Sequence, residues 1–260
     1  MASVIPNNLP NVFKCAQLNL HHATIPSASF FHNVEFNDDE PFIGFIQEPY
    51  CEKGIPHFLP GNCKSFYSSA LPDPRAILTI SRTISDSFFF QAGFSNRDMS
   101  TCSVNMPTGR LYVTSVYMDA DPHTLPPCPP DLLLKLVEFC QMHKHPLIIA
   151  TDCNAHHTVW GNRTTRPRGQ KLLDFFTSFD LLWHNDISKH TWRRQSQKTV
   201  IDLTLSNPHA PIIEGWDTVP SFSTSDHVLI TFTIVLSNVP LRGKPRTFKN
   251  THKCNWPLYR

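Results

Sequence analysis

The sequence predicts an α/β fold, a four-layer sandwich in which two β-sheets pack face to face and helices cover their outer sides. Three observations lead there. Short apolar runs of strand length recur over residues 12–235, only three segments have helical character, and the two kinds are interleaved along the chain. With 260 residues and 40% hydrophobic side chains, the chain can fill one large core or two small ones. No linker composition interrupts it before Ser237, so one domain over 1–236 is expected, with a tail over 237–260.

The elements follow in order. Residues 12–20 read as a strand ending at the polar Asn19. Residues 26–36 read as a short helix with Phe30, Phe31 and Val34 on one side. Residues 42–47 are a buried strand running into Glu48-Pro49. The Gly- and Pro-bearing stretch 51–73 reads as loop with a short strand around 65–68. Strands follow at 76–80, 87–90, 101–106 and 111–117, and Pro107-Thr108-Gly109-Arg110 is a hairpin signal between the last two. Phe88, Phe89 and Phe90 read as core and sheet packing. A proline cluster over 122–130 leads into a helix. Its Leu133, Leu136, Val137 and Cys140 sit at i, i+3, i+4 and i+7, with Asp131 at the end that the helix dipole favours. A strand at 146–150 precedes a second helix that carries Leu172, Phe175, Phe176 and Phe179 at the same spacing. Short strands around Trp183 and over 191–193, 199–206 and 228–235 close the domain, with no internal repeat.

Composition narrows the classes. A formal charge of +2 does not by itself mark a nucleic-acid binder. The charge is uneven, however: no Asp or Glu follows Asp226, while Arg242, Lys244, Arg246, Lys249, Lys253 and Arg260 do. That tail reads equally as a solvated linker or as a phosphate contact. The eight cysteines show no C-x-x-C spacing, as expected of reduced thiols in an intracellular protein. Residues 1–10 lack the basic and apolar regions of a secretory signal, and no apolar run is long enough to span a bilayer. No membrane association is expected.

The chemistry gathers at strand ends. Asp152-Cys153-Asn154-Ala155-His156-His157 follows the apolar run 146–150, and strict alternation puts Asp152 and Asn154 on one face and Cys153 on the other, toward the core. Ser225-Asp226-His227 opens another apolar run. Asn19, Glu48, Tyr117 and Asp202 likewise end or interrupt apolar strands, where ligand sites of α/β sheets collect. Alone, each reads as a turn former or helix cap; together and in this order they read as a hydrolytic centre.

In this order the motifs Gln17-Leu18-Asn19, Gln47-Glu48-Pro49, Val116-Tyr117, Thr151-Asp152-Cys153-Asn154-Ala155-His156-His157, Val200-Ile201-Asp202-Leu203-Thr204-Leu205 and Ser225-Asp226-His227 resemble the endonuclease/exonuclease/phosphatase superfamily. The chain looks most like the apurinic-endonuclease-like domain of non-LTR (LINE-type) retrotransposons, in the branch of jockey-like and site-specific elements, on Asn154 to His157 with Trp160-Gly161 and on Ile201 to Thr204. The resemblance covers about residues 12–235. It implies a DNase I-like sandwich of mainly antiparallel sheets, divalent-metal dependence and hydrolysis of a DNA phosphodiester. The nick leaves a 3′-hydroxyl that primes reverse transcription. It implies double-stranded DNA as partner, a reverse transcriptase in cis beyond the tail, nuclear localisation, Mg²⁺ (or Mn²⁺) and no small-molecule cofactor.

The resemblance implies a role for each residue. Glu48 is the metal ligand, because hard Mg²⁺ prefers carboxylate oxygen. Asp226 is a second metal-site carboxylate, and Asn19 supports metal waters or binds phosphate. Asp152 orients or deprotonates the attacking water, which is worth roughly 10²–10⁴-fold as general base catalysis. Asn154 holds that water or a phosphate oxygen, and Tyr117 contacts the scissile phosphate. His227 donates to a non-bridging oxygen, and Asp202 orients and charges it. Met118-Asp119 after Tyr117 departs from the proline that many members carry nearby. No counterpart of the insertions that hold an abasic site is present, so abasic-site cleavage is not expected as the main activity.

Trp192, Arg193, Arg194, Gln195 and Lys198 form a basic, aromatic-bearing hairpin. The plain reading is an exposed turn; the functional one is a finger that enters a DNA groove, with Arg and Gln suited to base edges and Lys to phosphate. Arg75, Asn96, Arg97, Arg163, Arg166 and Arg168 are further DNA-face candidates. His21-His22 and His156-His157 do not make a zinc motif, lacking a Cys partner or H-E-x-x-H spacing. Two other functions compete: a superfamily phosphoesterase acting on a lipid or inositol headgroup, and a DNA-binding module that has lost cleavage.

Overall fold

The computed structural model describes residues 9–33, 41–106, 109–121, 123, 126–221 and 224–236. The chain runs β1 (Val12–Asn19), α1 (Thr24–Asn33), β2 (Phe42–Gln47), β3 (Cys51–Glu52), β4 (Ile55–Pro56), β5 (Cys63–Phe66), β6 (Ala76–Ser81), α2 (Arg82–Ser85), β7 (Phe88–Phe90), β8 (Met99–Met106) and β9 (Gly109–Tyr117). It continues with α3 (Asp131–Met142), β10 (Leu147–Asp152), α4 (Pro167–Ser178), β11 (Leu182–Trp183), β12 (Trp192–Arg194), β13 (Gln197–Thr199), β14 (Asp202–Ser206), β15 (Ile212–Val219) and β16 (Leu229–Val235).

Two six-stranded sheets result, ordered β15-β16-β1-β2-β6-β5 and β11-β14-β10-β9-β8-β7. Each has one parallel pair at its centre, β1–β2 and β9–β10, and is otherwise antiparallel. Strand parity sorts the side chains into three cores. Phe13, Cys15, Ile43, Phe45, Leu111, Val113, Ile148 and Ala150 fill the space between the sheets. Leu147, Ile149, Leu203 and Leu205 face the other way, onto Leu133, Leu136, Val137 and Cys140 of α3 and Leu172, Phe175 and Phe176 of α4. Ala16, Leu18 and Ile46 pack under Phe30 and Phe31 of α1. The expected four-layer sandwich is present.

The inter-sheet layer changes character toward one end. Positions of the same parity read apolar at Phe13, Cys15 and Val113, then amide or hydroxyl at Gln17, Gln47, Ser115 and Thr204, all fully buried. These polar side chains bond across the sheets. Gln17 Nε2 donates to the Thr151 and Leu203 carbonyls at 3.2 and 3.4 Å, and its Oε1 accepts from Thr204 Oγ1 at 2.9 Å. Gln47 Nε2 donates to Ser115 Oγ at 3.0 Å and the Ala150 carbonyl at 3.3 Å. Apolar contact alone would leave the sheets free to slide. These directional bonds fix their relative position one step below the strand ends.

Some expectations are corrected. The first helix begins at Thr24, and Val34 lies outside the described residues, as do Pro107-Thr108 and the tail from 237. The single strand expected over 199–206 is two, β13 and β14, separated at Val200-Ile201. β15 was not anticipated: it is an edge strand with no buried residue and a register break between Glu214 and Asp217, so no alternation marks it. Phe89 is exposed on the edge strand β7, while Phe88 alone of the three is fully buried. Among the described residues no helix is long and apolar enough to cross a membrane.

Candidate active site

One further step along the same parity brings the core to its polar rim. β1 ends at Asn19 beside Gln47, the last residue of β2, and β10 ends with Asp152 facing both Tyr117 of β9 and Asp202 of β14. β16 begins at this same edge, so His227, two residues before it, arrives there too. Asn19, Asp152, Asp202 and His227 are all buried, whereas Glu48, Tyr117, Asn154 and Asp226 are half-buried.

His227 Nδ1 lies 3.0 Å from both oxygens of Asp202, and His227 Nε2 lies 3.9 Å from Asp152 Oδ2. Asn19 Nδ2 donates to Asp152 Oδ2 at 2.8 Å and to Glu48 Oε2 at 3.0 Å, so one amide bridges carboxylates from the two sheets. The Asn154 backbone N–H donates to Asp152 Oδ1 at 3.1 Å. Ser225 Oγ donates to the Asn19 carbonyl and accepts from His227 N–H, tying the loop before β16 to β1.

The electrostatics follow from burial and neighbours. Burial, reinforced by the charge of Asp202, pushes the Asp152 carboxyl up to about 7 against the opposing pull of His227 and Asn19. Burial would lower His227, but the charge and hydrogen bond of Asp202 outweigh it and raise the imidazole to about 9. Burial would raise Glu48, yet hydrogen bonds from His22 and Asn19 hold it below its ordinary value. At neutral pH the cluster therefore holds an imidazolium, an ionised Glu48 and a carboxyl poised to take or release a proton. Ligand atoms of Asp152, Asp202 and His227 also lie within 4.8 Å of one another, a spacing that a cation could bridge. An imidazolium has no free lone pair, however, and Asp202 already engages it with both oxygens. Glu48 is an oxygen donor of this rim that is both ionised and half-open.

Several expected roles shift with the geometry. The strand ends at Asp152, and Asn154 is left-handed (φ 47°), so alternation does not govern it. Its side chain donates to the Met118 carbonyl at 3.3 Å, and what it offers Asp152 is its backbone N–H. The Asn19 amide oxygen accepts from His21 N–H at 2.7 Å, so the face it turns to the carboxylates is a donor and offers nothing to a cation. The Tyr117 hydroxyl bonds Glu48, and Arg75 lies over its ring at 4.8 Å. Asp226 turns to the hairpin: its Oδ2 accepts from Trp192 Nε1 at 3.0 Å. Cys153 is buried and faces the helix-side core, as alternation requires.

The hairpin β12–β13 closes over a turn at Gln195 (φ 54°). Arg193, Arg194, Gln195 and Lys198 are exposed, whereas Trp192 is half-buried and its indole N–H is paired with Asp226. The hairpin is joined to the site by backbone. Arg193 N–H donates to the Asp226 carbonyl, Trp192 bridges His227, and Val228 N–H donates to the Thr191 carbonyl. Arg194 lines an open cleft of about 680 Å³ with His21, Thr24, Ile25 and Asp226. Of the other basic candidates, Arg75 pairs with Asp98 and Asp119, Arg97 donates to the Asp73 carbonyl, and Arg168 donates to the Cys153 and Met118 carbonyls. These three brace loops of the rim. Next to Arg168, Gly169 lets α4 approach closely, since a Cβ there would overlap the His156 carbonyl oxygen. His157 is likewise structural: Nδ1 accepts from Val159 N–H.

Sequence reasoning missed the supports of Asp202. The buried Thr191 hydroxyl accepts from the N–H groups of Ile201 and Asp202, and buried Asn185 donates to the Asp202 carbonyl. His22 was set aside with the histidine pairs, yet its Nε2 lies 3.3 Å from Glu48 Oε1. No spacing rule links positions this far apart in the chain.

Residues 111–231 match the family described as "Endonuclease-reverse transcriptase". No curated protein matches the chain. Among solved structures it is similar to the endonuclease domain of TRAS1, a telomere-specific non-LTR retrotransposon, at 20% identity and a TM-score of 0.69, covering 85% of this chain and 98% of that one. It is similar to the AP endonuclease LMAP from Leishmania major at 9% identity and a TM-score of 0.63, covering 86% and 88%. The human Nocturnin catalytic domain aligns at 16% identity and a TM-score of 0.55, covering 87% and 96%. At these identities the likeness is one of fold. Fold and family match agree with the resemblance carried by the motifs: this is an endonuclease/exonuclease/phosphatase fold whose residues 111–231 match the endonuclease-reverse transcriptase family.

Proposed function

We propose that the chain is a divalent-metal-dependent DNA endonuclease of a non-LTR retrotransposon, nicking duplex DNA to leave a 3′-hydroxyl that primes reverse transcription. The observation that carries this is the convergence of Asp152 with the Asp202–His227 pair and the Asn19–Glu48 pair, from the ends of two sheets, into one polar rim.

Asp152, held by Asn19 and Asn154 N–H, orients and deprotonates the attacking water; a group near neutrality suits that task. His227, charged and aimed by Asp202, donates to the phosphate oxygen where negative charge builds. The donor face of Asn19 holds the two carboxylates in register. The half-buried, ionised Glu48 suits a hard cation such as Mg²⁺ or Mn²⁺ and would hold it. When bound, the cation neutralises charge on the phosphate and helps the departing 3′-oxygen. Tyr117 positions Glu48. The exposed Arg193, Arg194, Gln195 and Lys198 form the DNA-facing finger, and double-stranded DNA is the partner. The family match supports a reverse transcriptase in cis, and a nuclear site of action follows from the substrate.

The test is nicking of supercoiled plasmid with Mg²⁺, followed by extension of the nick by a polymerase without end repair. Nicking that fails for wild type, or persists unchanged in both Asp152→Ala and His227→Ala, refutes the assignment. Nicks that polymerase cannot extend refute the priming role alone.

A further inference from the structure

His22 is bound to the Glu48–Pro49 segment by both backbone and ring. Its N–H donates to the Glu48 carbonyl at 2.8 Å, continuing the parallel ladder beyond β1. His21 and His22 are both left-handed (φ 53° and 51°), as is Glu48 (φ 46°). Left-handed backbone at successive non-glycine residues is uncommon, and here it curls the His22 ring back over the end of β2. Nδ1 lies 3.2 Å from the Pro49 carbonyl oxygen, and Nε2 lies 3.3 Å from Glu48 Oε1. A carbonyl only accepts, so Nδ1 carries a hydrogen; without a metal Nε2 donates to Glu48 Oε1, and a bound cation would take the place of that proton.

That is the presentation used by metal-bound histidines: one ring nitrogen anchored on a carbonyl, the other turned toward the ion. The spacing agrees. Two atoms each about 2.1 Å from one cation, at octahedral to tetrahedral angles, stand roughly 3.0–3.4 Å apart. The other Glu48 oxygen faces the Asn19 amide donor and is not matched in this way.

We propose that His22 Nε2 and Glu48 Oε1 form a mixed nitrogen–oxygen ligand pair for the catalytic cation, which adapts this rim to borderline ions such as Co²⁺ or Zn²⁺ as well as Mg²⁺. The inference rests on the reading of Glu48 as metal ligand. Imidazole favours the late first-row ions, whereas Mg²⁺ is indifferent to it and keeps its waters. This is an open two-residue site, unlike the closed four-ligand zinc motifs that the spacing excludes.

The experiment is calorimetric titration of the full chain with Co²⁺ and, separately, Mg²⁺, together with the visible absorption of bound Co²⁺. His22→Asn is the main variant, because Asn tolerates the left-handed backbone; His22→Ala is the second, with circular dichroism confirming that each folds. The expected result is a loss of Co²⁺ affinity of about tenfold or more with a changed Co²⁺ spectrum, and Mg²⁺ affinity within about twofold of wild type. Unchanged or tighter Co²⁺ binding in both variants overturns the proposal and makes His22 an ion-pair partner that competes with the metal. Glu48→Gln separates the two readings: if it retains Co²⁺ and Mg²⁺ at wild-type affinity, the assignment of Glu48 itself fails.

Discussion

The two central parallel pairs, β1–β2 and β9–β10, occupy equivalent places in their sheets and deliver their ends to the same rim, yet they deliver different chemistry. β9–β10 ends in Tyr117 and the fully buried Asp152, backed by Asp202 and His227, where burial raises the Asp152 carboxyl to about 7 and the charge of Asp202 raises the His227 imidazole to about 9. β1–β2 ends in Asn19 and the half-open Glu48, which keeps its charge. In the proposed reaction one side moves a proton and the other holds a cation. Asn19, bonded to Asp152 and Glu48 at once, is the point where they are kept in register.

Substitutions on the proton side should cost most. Asp152→Ala is expected to lower the nicking rate about 10²–10⁴-fold, and His227→Ala about 10²–10³-fold, both with folded far-ultraviolet spectra. On the cation side, Glu48→Gln should cost on the order of 10²-fold and be partly recovered by raising the metal concentration. Recovery of Asp152→Ala by metal would erase the distinction between the sides.

The pH profile sharpens the same distinction. Asp152 must be ionised to act, so the rate should climb roughly tenfold per pH unit below about 7. His227 must keep its proton, so the rate should fall above about 9. Asp202→Asn removes the negative charge that favours the imidazolium, and the alkaline limb should then move to lower pH. A limb that stays in place would detach His227 from Asp202 in function.

How much of this the sequence could show depended on the range of the interaction. The apolar runs of β2 and β10 and the stripe Leu133, Leu136, Val137, Cys140 were legible because parity and helical periodicity act locally. The same parity placed Asn19, Tyr117 and Asp152 at strand ends. It failed at Asn154, where a left-handed residue ends the alternation, and at β15, an edge strand that buries no residue. The bonds of Trp192 to Asp226 and of Thr191 to Asp202 cross gaps in sequence that no pattern encodes. The motifs pointed to strand ends that meet at one rim; the contacts among them span separations that no local pattern reaches.

Gln17 and Gln47 test the inter-sheet link one layer below. Gln17→Leu keeps bulk but removes three hydrogen bonds to residues of the second sheet, Thr151, Leu203 and Thr204. A buried polar network losing one member is expected to cost about 1–3 kcal/mol of stability. The more telling result is kinetic: kcat should fall roughly tenfold as Asp152 and Glu48 lose their register, with KM for DNA little changed. Equal loss in kcat and KM would mean a general loosening.

The smallest effect on rate should come from the finger. Arg194 is exposed at the end of β12, next to the turn, while Arg193 is braced on the Pro220 carbonyl at 2.9 Å. Arg194→Ala should therefore change which sites are nicked, with total nicking within about threefold of wild type and a shallower salt dependence, since one phosphate or base contact is removed. Arg193→Ala should act through the brace and the Asp226 loop, lowering rate without redrawing the pattern. Mapping nicks on random duplex DNA distinguishes them: identical ladders for Arg194→Ala and wild type would make the hairpin a strut for His227 and leave target choice to DNA deformability.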